Sequence, residues 1–404
     1  MAVSTSKSQR RMSAMLRAFN CSSSNDGGGI ITSKYPDLEI PSNMSISDYV
    51  MSNFDHYGDK VAVIDGLTNK SYTYRQLKDL IHRCGSGLSR AGFQQGDVCA
   101  LYLPNMSEYC IPFYAVISIG GIVTTINPSH TSIELVHQLI MSDAKWIVTL
   151  PDVVDNIKSS NLYNIKHTYI LGDGNVEGCL PFADLMTDDG SAFPKDIKIN
   201  PVEDVAVLPY SSGTTGRPKG VMLTHQNLIA SCEIGISTSV LKKSDIICVL
   251  PLYHLSGMHT HILLGLKQGN TTVLLPKFQP EVFLRLAEKH KVSQLFVAPP
   301  LAVFLIKHPM VDKYNLSSVD DIVCGAAPLG LGHVKSLKRR LNNDELTVRQ
   351  VYGMTETSGF VTSYGLNDTI VAGSAGRLVA GCQAKVTRND VIYLWGQHQK
   401  FNVG

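Results

Sequence analysis

Residues 210–220 read Tyr-Ser-Ser-Gly-Thr-Thr-Gly-Arg-Pro-Lys-Gly, and they set four Ser and Thr hydroxyls, three glycines and one lysine between two apolar segments. This is the chemistry of a phosphate loop. Gly213, Gly216 and Gly220 leave backbone N–H groups open to an anion, Ser211, Ser212, Thr214 and Thr215 add donors, and Lys219 brings a mobile positive charge for a polyphosphate. A nucleoside triphosphate suits such a loop. The order is not that of a Walker A motif, which puts Lys directly after Gly and Ser or Thr directly after Lys, whereas here Pro218 precedes Lys219 and Gly220 follows it. As composition alone the run also suits a surface turn. The flanks argue for a loop at a strand end: residues 205–208 are apolar like a buried strand, and residues 221–223 repeat that signature before Thr224, which can cap a helix.

In full, Ser-Ser-Gly-Thr-Thr-Gly-x-Pro-Lys-Gly resembles the signature of the adenylate-forming superfamily of acyl-CoA synthetases, 4-coumarate–CoA ligases and firefly luciferases. Gln350-Val-Tyr-Gly-Met-Thr-Glu-Thr357 is a second match to that family, and Leu103-Pro-Asn-x-x-Glu, Pro251-x-x-His-x-x-Gly257 and Gly325-Ala-Ala-Pro328 are further ones. The resemblance implies an α/β fold, the N-terminal domain of an adenylate-forming enzyme, with stacked and mostly parallel sheets flanked by helices. It also implies an acid–thiol ligase: a carboxylic acid and ATP give acyl-AMP and pyrophosphate, and the acyl group then passes to CoA, with Mg²⁺ on the ATP phosphates.

By the same resemblance Ser211, Ser212, Gly213, Thr214, Thr215, Gly216 and Lys219 hold ATP, and Lys219, His254 and Thr355 are catalytic. Gly325, Ala326 and Ala327 contact the adenylate, because residues with little or no side chain let flat groups approach, and Gln350, Tyr352 and Gly353 contact it from the second motif. Tyr352 offers a ring on which adenine can stack, Thr355 a hydroxyl for the α-phosphate, and Glu356 a carboxylate for Mg²⁺. Tyr253, Ser256 and Thr260 lie near the acid, and Lys277 near the pantetheine or phosphates of CoA. Read from the residues alone, a lone His is more often a hydrogen-bonded core residue, and residues 324–329 and 350–357 are turns, the second with a capping Thr. Plant 4-coumarate ligases usually carry Gly where this chain has Val351, so the floor of the acid pocket is expected to be bulkier and the acid need not be a hydroxycinnamate.

These motifs need elements to hold them. Strand-like runs at 61–64, 98–103, 146–149, 167–171, 246–250, 272–275, 294–297 and 321–324 alternate with helical patterns at 46–50, 74–81, 132–141 and 151–159, and a helix is expected to open after Pro104-Asn105-Met106. Strands alternating with helices mean largely parallel sheets with ligands at the carboxyl ends of the strands. Residues 109–126 hold no charge, which approaches the length of a membrane span. Pro112, Gly120-Gly121 and Asn127-Pro128 interrupt the run, so a buried helix and strand is the expectation, with membrane association as the alternative.

The 404 residues include 36 basic and 34 acidic ones, for a net charge of +2, and no long basic run interleaved with aromatics, which argues against a nucleic-acid partner. Nine cysteines occur singly with no C-x-x-C pair, as expected of reduced thiols inside a cell, with the cytoplasm, peroxisome and mitochondrion all open. Residues 1–34 read as a disordered tail or, from Lys7, Arg10, Arg11, Arg17 and the spacing of Met12, Met15, Leu16 and Phe19, as a mitochondrial transit peptide. Residues 35–386 form the adenylation domain, expected to be incomplete. Residues 387–404 diverge from the family, and the segments that would bring a ribose-binding Asp and an adenylation Lys are not recognised. The tail is therefore read as a truncation or splice product, and two functions stand: a ligase impaired by the missing subdomain, or a non-catalytic protein that binds nucleotide or acid.

Overall fold

The computed structural model describes residues 30–158, 164–174, 176–211, 218–371, 373–386, 392–396 and 399–401. The basic N-terminal segment, the loop residues Ser212, Gly213, Thr214, Thr215 and Gly216, and most of the final tail lie outside the described residues. The chain divides into two compact units, one made of Pro41–Ala230 and Cys248–Phe278, the other of Ser231–Ile247, Gln279–Gly404 and the N-terminal residues to Ile40.

The first unit is built on a seven-stranded sheet ordered Leu223–Thr224, Val205–Val207, Ile122–Ile126, Val98–Tyr102, Ala144–Thr149, His167–Ile170 and Leu180–Pro181. All neighbours are parallel except the first pair. Val98–Tyr102 is buried at every position, which is why its sequence is an unbroken apolar run. Helices begin where side chains can satisfy the first free N–H groups. Thr73 with Gln76 and Thr131 with Glu134 form reciprocal capping boxes at the heads of Tyr74–Arg90 and Ser132–Ser142. The uncharged run is split as expected: the helix Cys110–Ser118 is buried along most of its length, Gly120 turns at φ +75, and Ile122–Ile126 is a central strand. Among the described residues no helix is long and apolar enough to cross a membrane. A smaller sheet pairs Thr272–Leu274 parallel to Val61–Asp65, which pairs antiparallel to Ser71–Thr73.

The second unit holds the parallel strands Gln294–Val297, Asp321–Cys324 and Thr347–Gln350. It also holds two antiparallel sheets that the alternating pattern did not announce. One joins Tyr352–Met354, Gly359–Ser363 and Arg377–Leu378. The other joins Ile30–Thr32, Cys382–Val386, Ile392–Gly396 and Gln399–Phe401. Residues 30–32, assigned from sequence to the N-terminal tail, are thus a paired strand, and part of the divergent tail pairs with the strand that precedes it. The helix expected to open at residues 104–106 begins instead as a 3₁₀ turn, Ser107–Tyr109, because Asn105 is engaged elsewhere.

Candidate active site

In the first unit the strand Val205–Val207 leads into the phosphate loop, and its course is pinned by Leu208 N–H donating to the Val123 carbonyl at 2.8 Å and by Thr124 Oγ1 donating to the Leu208 carbonyl at 2.9 Å. The loop is closed by a short antiparallel ladder pairing Tyr210 with Gly220 and Ser211 with Lys219. Lys219 and Gly220 are exposed, so the lysine is free of packing on the rim of the loop. A Cβ on Gly220 would stand 3.3 Å from the Tyr210 ring, so this glycine lets the ring close over the ladder. Burial pushes the Tyr210 hydroxyl up to about 12. Past the loop, Thr224 and Asn227 cap each other reciprocally at 3.1 and 3.3 Å, which starts the helix His225–Ser237 where the sequence suggested.

Tyr253 and His254 sit in a tight turn in which His254 N–H donates to the Pro251 carbonyl at 3.1 Å. Gly257 is needed there, since a Cβ would stand 2.1 Å from the Pro251 oxygen. Ser256 N–H donates to His254 Nδ1 at 3.3 Å, and the Ser256 hydroxyl lies 2.9 Å from the same nitrogen. An N–H can only donate, so Nδ1 accepts and the neutral ring carries its proton on Nε2. The residue is open to solvent, yet enough protein surrounds the ring that desolvation lowers its pKa below the ordinary histidine value. The helix that follows is α-helical at Leu255–Gly257 and Gly265–Lys267 but π-helical over Met258–Leu264, a widening that recurs at functional sites. Thr260 lies in this stretch at 2% exposure, so it is not on an open surface here. Lys277 is exposed beyond Thr272–Leu274.

In the second unit the other two motifs meet. Asp321–Cys324 and Thr347–Gln350 are parallel and in register, with Cys324 opposite Gln350, so residues 325–327 and 351–356 leave the sheet from the same edge. Val351 N–H bonds the Cys324 carbonyl at 3.0 Å, and Leu329 N–H bonds Gln350 Oε1 at 2.7 Å. Gln350 thus braces the 325–329 turn from below. Ala326 holds φ +69, a left-handed conformation that non-glycine residues rarely adopt, and Ala326 and Ala327 are both exposed. Gly353 is required by the strand it pairs with, since a Cβ would stand 2.0 Å from the Gly359 oxygen. Beyond it Thr355–Thr357 forms a 3₁₀ turn with Thr355 buried and Glu356 exposed. The Thr357 hydroxyl receives Met354 N–H at 3.0 Å and locks the turn.

Two residues to which the sequence assigned no role in the site hold the His254 turn. The Asn105 carboxamide accepts from Leu252 N–H at 2.8 Å and donates to the Leu250 carbonyl at 3.0 Å, and Thr125 Oγ1 donates to the Tyr253 carbonyl at 2.8 Å. Asn105 follows the strand Val98–Tyr102 by three residues within the Leu103-Pro-Asn-x-x-Glu match, and Thr125 lies near the carboxyl end of Ile122–Ile126.

The first unit carries a strand that leads into the phosphate-loop sequence, and the second carries small and hydroxyl-bearing residues at a parallel-sheet edge. Residues 51–391 match the AMP-binding enzyme family, and the chain belongs to it. It is 38% identical over 381 residues to 4-coumarate–CoA ligase 3 of Arabidopsis thaliana, covering 92% of this chain and 67% of that protein. With 4-coumarate–CoA ligase 1 of Petroselinum crispum the identity is 40% over 333 residues, covering 81% of this chain and 60% of the relative. The fold is similar to that of a long-chain-fatty-acid–CoA ligase from Archaeoglobus fulgidus, at TM-score 0.82 and 26% identity over 92% of this chain and 78% of that one.

Proposed function

We propose that this protein is an ATP-dependent carboxylic acid–CoA ligase of the 4-coumarate–CoA ligase type. It would join a carboxylic acid to AMP with release of pyrophosphate and then pass the acyl group to the CoA thiol. The observation that supports this most is the register of Cys324 with Gln350, which sets the small-residue turn and the Tyr352–Thr355 segment at one sheet edge. Such an edge, at the carboxyl ends of parallel strands, is where nucleotides bind in α/β sheets.

The residues present fit ATP. Gly325, Ala326 and Ala327 would give adenine close access to backbone, Tyr352 would stack on it, and the Thr355 hydroxyl would donate to the α-phosphate. In the first unit, Lys219 would neutralise phosphate charge and His254 Nε2–H would donate to a carboxylate or phosphate oxygen. Among the described residues no cluster of three metal-ligating side chains occurs, so Glu356 would be a single carboxylate ligand for Mg²⁺. A single carboxylate is a usual protein contribution to Mg²⁺ bound with a nucleotide, and the ion would supply charge neutralisation. The protein's part in catalysis is positioning and charge neutralisation. Val351 Cγ2 stands 3.1 Å from the Cβ position of Gly325, so the side chain narrows this edge and favours acids slimmer than a substituted hydroxycinnamate.

The test is pyrophosphate release from Mg·ATP with a panel of aromatic and aliphatic acids, followed by acyl-CoA formation on adding CoA. Release that depends on one class of acid is the expected result. ATP consumption that no acid stimulates would contradict the reading.

A further inference from the structure

We propose that Asn105 and Thr125 are positioning residues for Tyr253 and His254, gripping the turn from a central strand and from the segment that follows its parallel neighbour, so that the imidazole presents one defined nitrogen. Insofar as it concerns catalysis, this rests on the function proposed above; the grip itself does not.

The turn at residues 248–254 belongs to neither helix nor strand along most of its length, so its peptide groups need partners from elsewhere. Asn105 and Thr125, each 3% exposed, supply them. Asn105 Oδ1 takes the Leu252 N–H, Asn105 Nδ2 takes the Leu250 carbonyl, and Thr125 takes the Tyr253 carbonyl, leaving the next residue, His254, little freedom. Only a carboxamide can donate and accept at once in this geometry: a carboxylate of the same shape loses the donor, and an apolar side chain loses both. Thr125 lies in the strand Ile122–Ile126, and Asn105 follows its parallel neighbour Val98–Tyr102 by three residues, with Leu101 opposite Thr125 in the register. The turn is thus tied to the middle of the seven-stranded sheet. His254 N–H then closes on Pro251, and Ser256 N–H fixes Nδ1 as the acceptor. Strand ends, side-chain anchors, turn and ring form one chain of contacts that ends on Nε2–H. Asn105 and Thr125 touch no reacting group in it and act through His254.

The test uses the full chain labelled with ¹⁵N, its imidazole nitrogens observed by NMR and the His254 pair assigned by its loss in His254→Ala. The parent should show a single tautomer with the proton on Nε2. In Thr125→Val and Asn105→Asp the His254 nitrogens should move towards tautomer averaging, and Thr125→Ser, which keeps the hydroxyl, should restore the parent pattern. In the same variants kcat for acid-dependent pyrophosphate release should fall by about 10- to 100-fold with KM for ATP changed by less than about 2-fold, the signature of lost orientation. A folded Thr125→Val with an unaltered tautomer overturns the proposal, and so does an altered tautomer with unaltered kcat. If Asn105→Asp does not fold, the Thr125→Val and Thr125→Ser pair decides. If the parent shows no acid-dependent pyrophosphate release, the functional reading fails, while the tautomer comparison still decides whether the grip positions the ring.

Discussion

Arg349 reaches diagonally from its strand to Asp321 on the neighbouring one, Nε to Oδ1 at 3.1 Å, with both side chains fully excluded from solvent. The remaining valences are filled: Arg349 Nη1 donates to the Tyr364 carbonyl at 2.8 Å, Nη2 to the Val240 carbonyl at 3.0 Å, and Gln294 Nε2 to Asp321 Oδ2 at 2.6 Å. The network sits on the strands that end at Cys324 and Gln350 and so stiffens the edge from which the candidate adenylate residues emerge.

Removing one partner of this pair leaves a buried, uncompensated charge. Arg349→Met is expected to lower stability by about 3–5 kcal/mol, and Asp321→Leu in the same chain should recover part of that, since breaking a buried pair costs more than replacing it. Urea denaturation of the single and double variants checks this. Equal stability of Arg349→Met and the parent would show that the pair does not hold the edge.

His225 predicts a pH dependence of stability. Its ring is 1% exposed, its Nδ1 accepts from Ile46 N–H at 3.2 Å, and desolvation pulls its pKa down to about 4, opposed by Asp204 and Asp48. Unfolded, the ring titrates near 6.5, so between these values the unfolded chain binds the extra proton and stability falls as the pH is lowered. The expected loss across that window is on the order of 3 kcal/mol. His225→Asn keeps an acceptor for Ile46 but cannot titrate there, so its unfolding free energy, measured from pH 7 down to 4, should lose this part of the slope.

Gly257→Ala must displace the Pro251 carbonyl, which would lie 2.1 Å from the new Cβ. The turn that carries His254 has to move. Acid-dependent turnover should fall by about 100-fold or more, because misplacing a reacting group by an ångström is enough for that. A control at Gly332, where a Cβ meets nothing within 4 Å, should leave turnover unchanged when Gly332 is replaced by Ala.

Val351→Gly should widen the sheet edge beside Gly325. Bulkier ring-substituted acids should gain in kcat/KM relative to slim ones by about 10-fold, the scale set by a methyl group or two in an apolar pocket. An acid panel run on both proteins measures it, and an unchanged ranking would remove Val351 from the acid pocket.

The parallel core was legible in the sequence because burial on both faces leaves a simple trace: Val98–Tyr102 is a short apolar run, and Ile122–Ile126 and Asp321–Cys324 are short runs rich in β-branched and apolar residues. The motifs were legible because backbone approach leaves glycines where it happens, as at Gly257 and Gly353. What could not be read was pairing at long range. An Arg in a strand looks the same whether it faces water or Asp321, and Asn105 looks like a helix-opening residue until Leu252, 147 positions away, is folded against it. The antiparallel strands of the second unit were hidden for a related reason, since Ile30–Thr32 is too short to carry a periodic signal and pairs with Cys382–Val386 far along the chain. Gln350 was read as an adenylate contact, but the local sequence held no sign that its side-chain oxygen is engaged by Leu329 N–H.

The central claim, that the edge formed by residues 325–327 and 351–356 binds an acyl adenylate, is tested most directly by calorimetry with a non-hydrolysable acyl-AMP analogue, because binding does not depend on completing the reaction. The analogue should bind at least 100-fold more tightly than AMP, as analogues of reactive intermediates do. Tyr352→Ala and Thr355→Val should each weaken it by about 10-fold or more. Binding no tighter than AMP, or undiminished in both variants, would contradict the account.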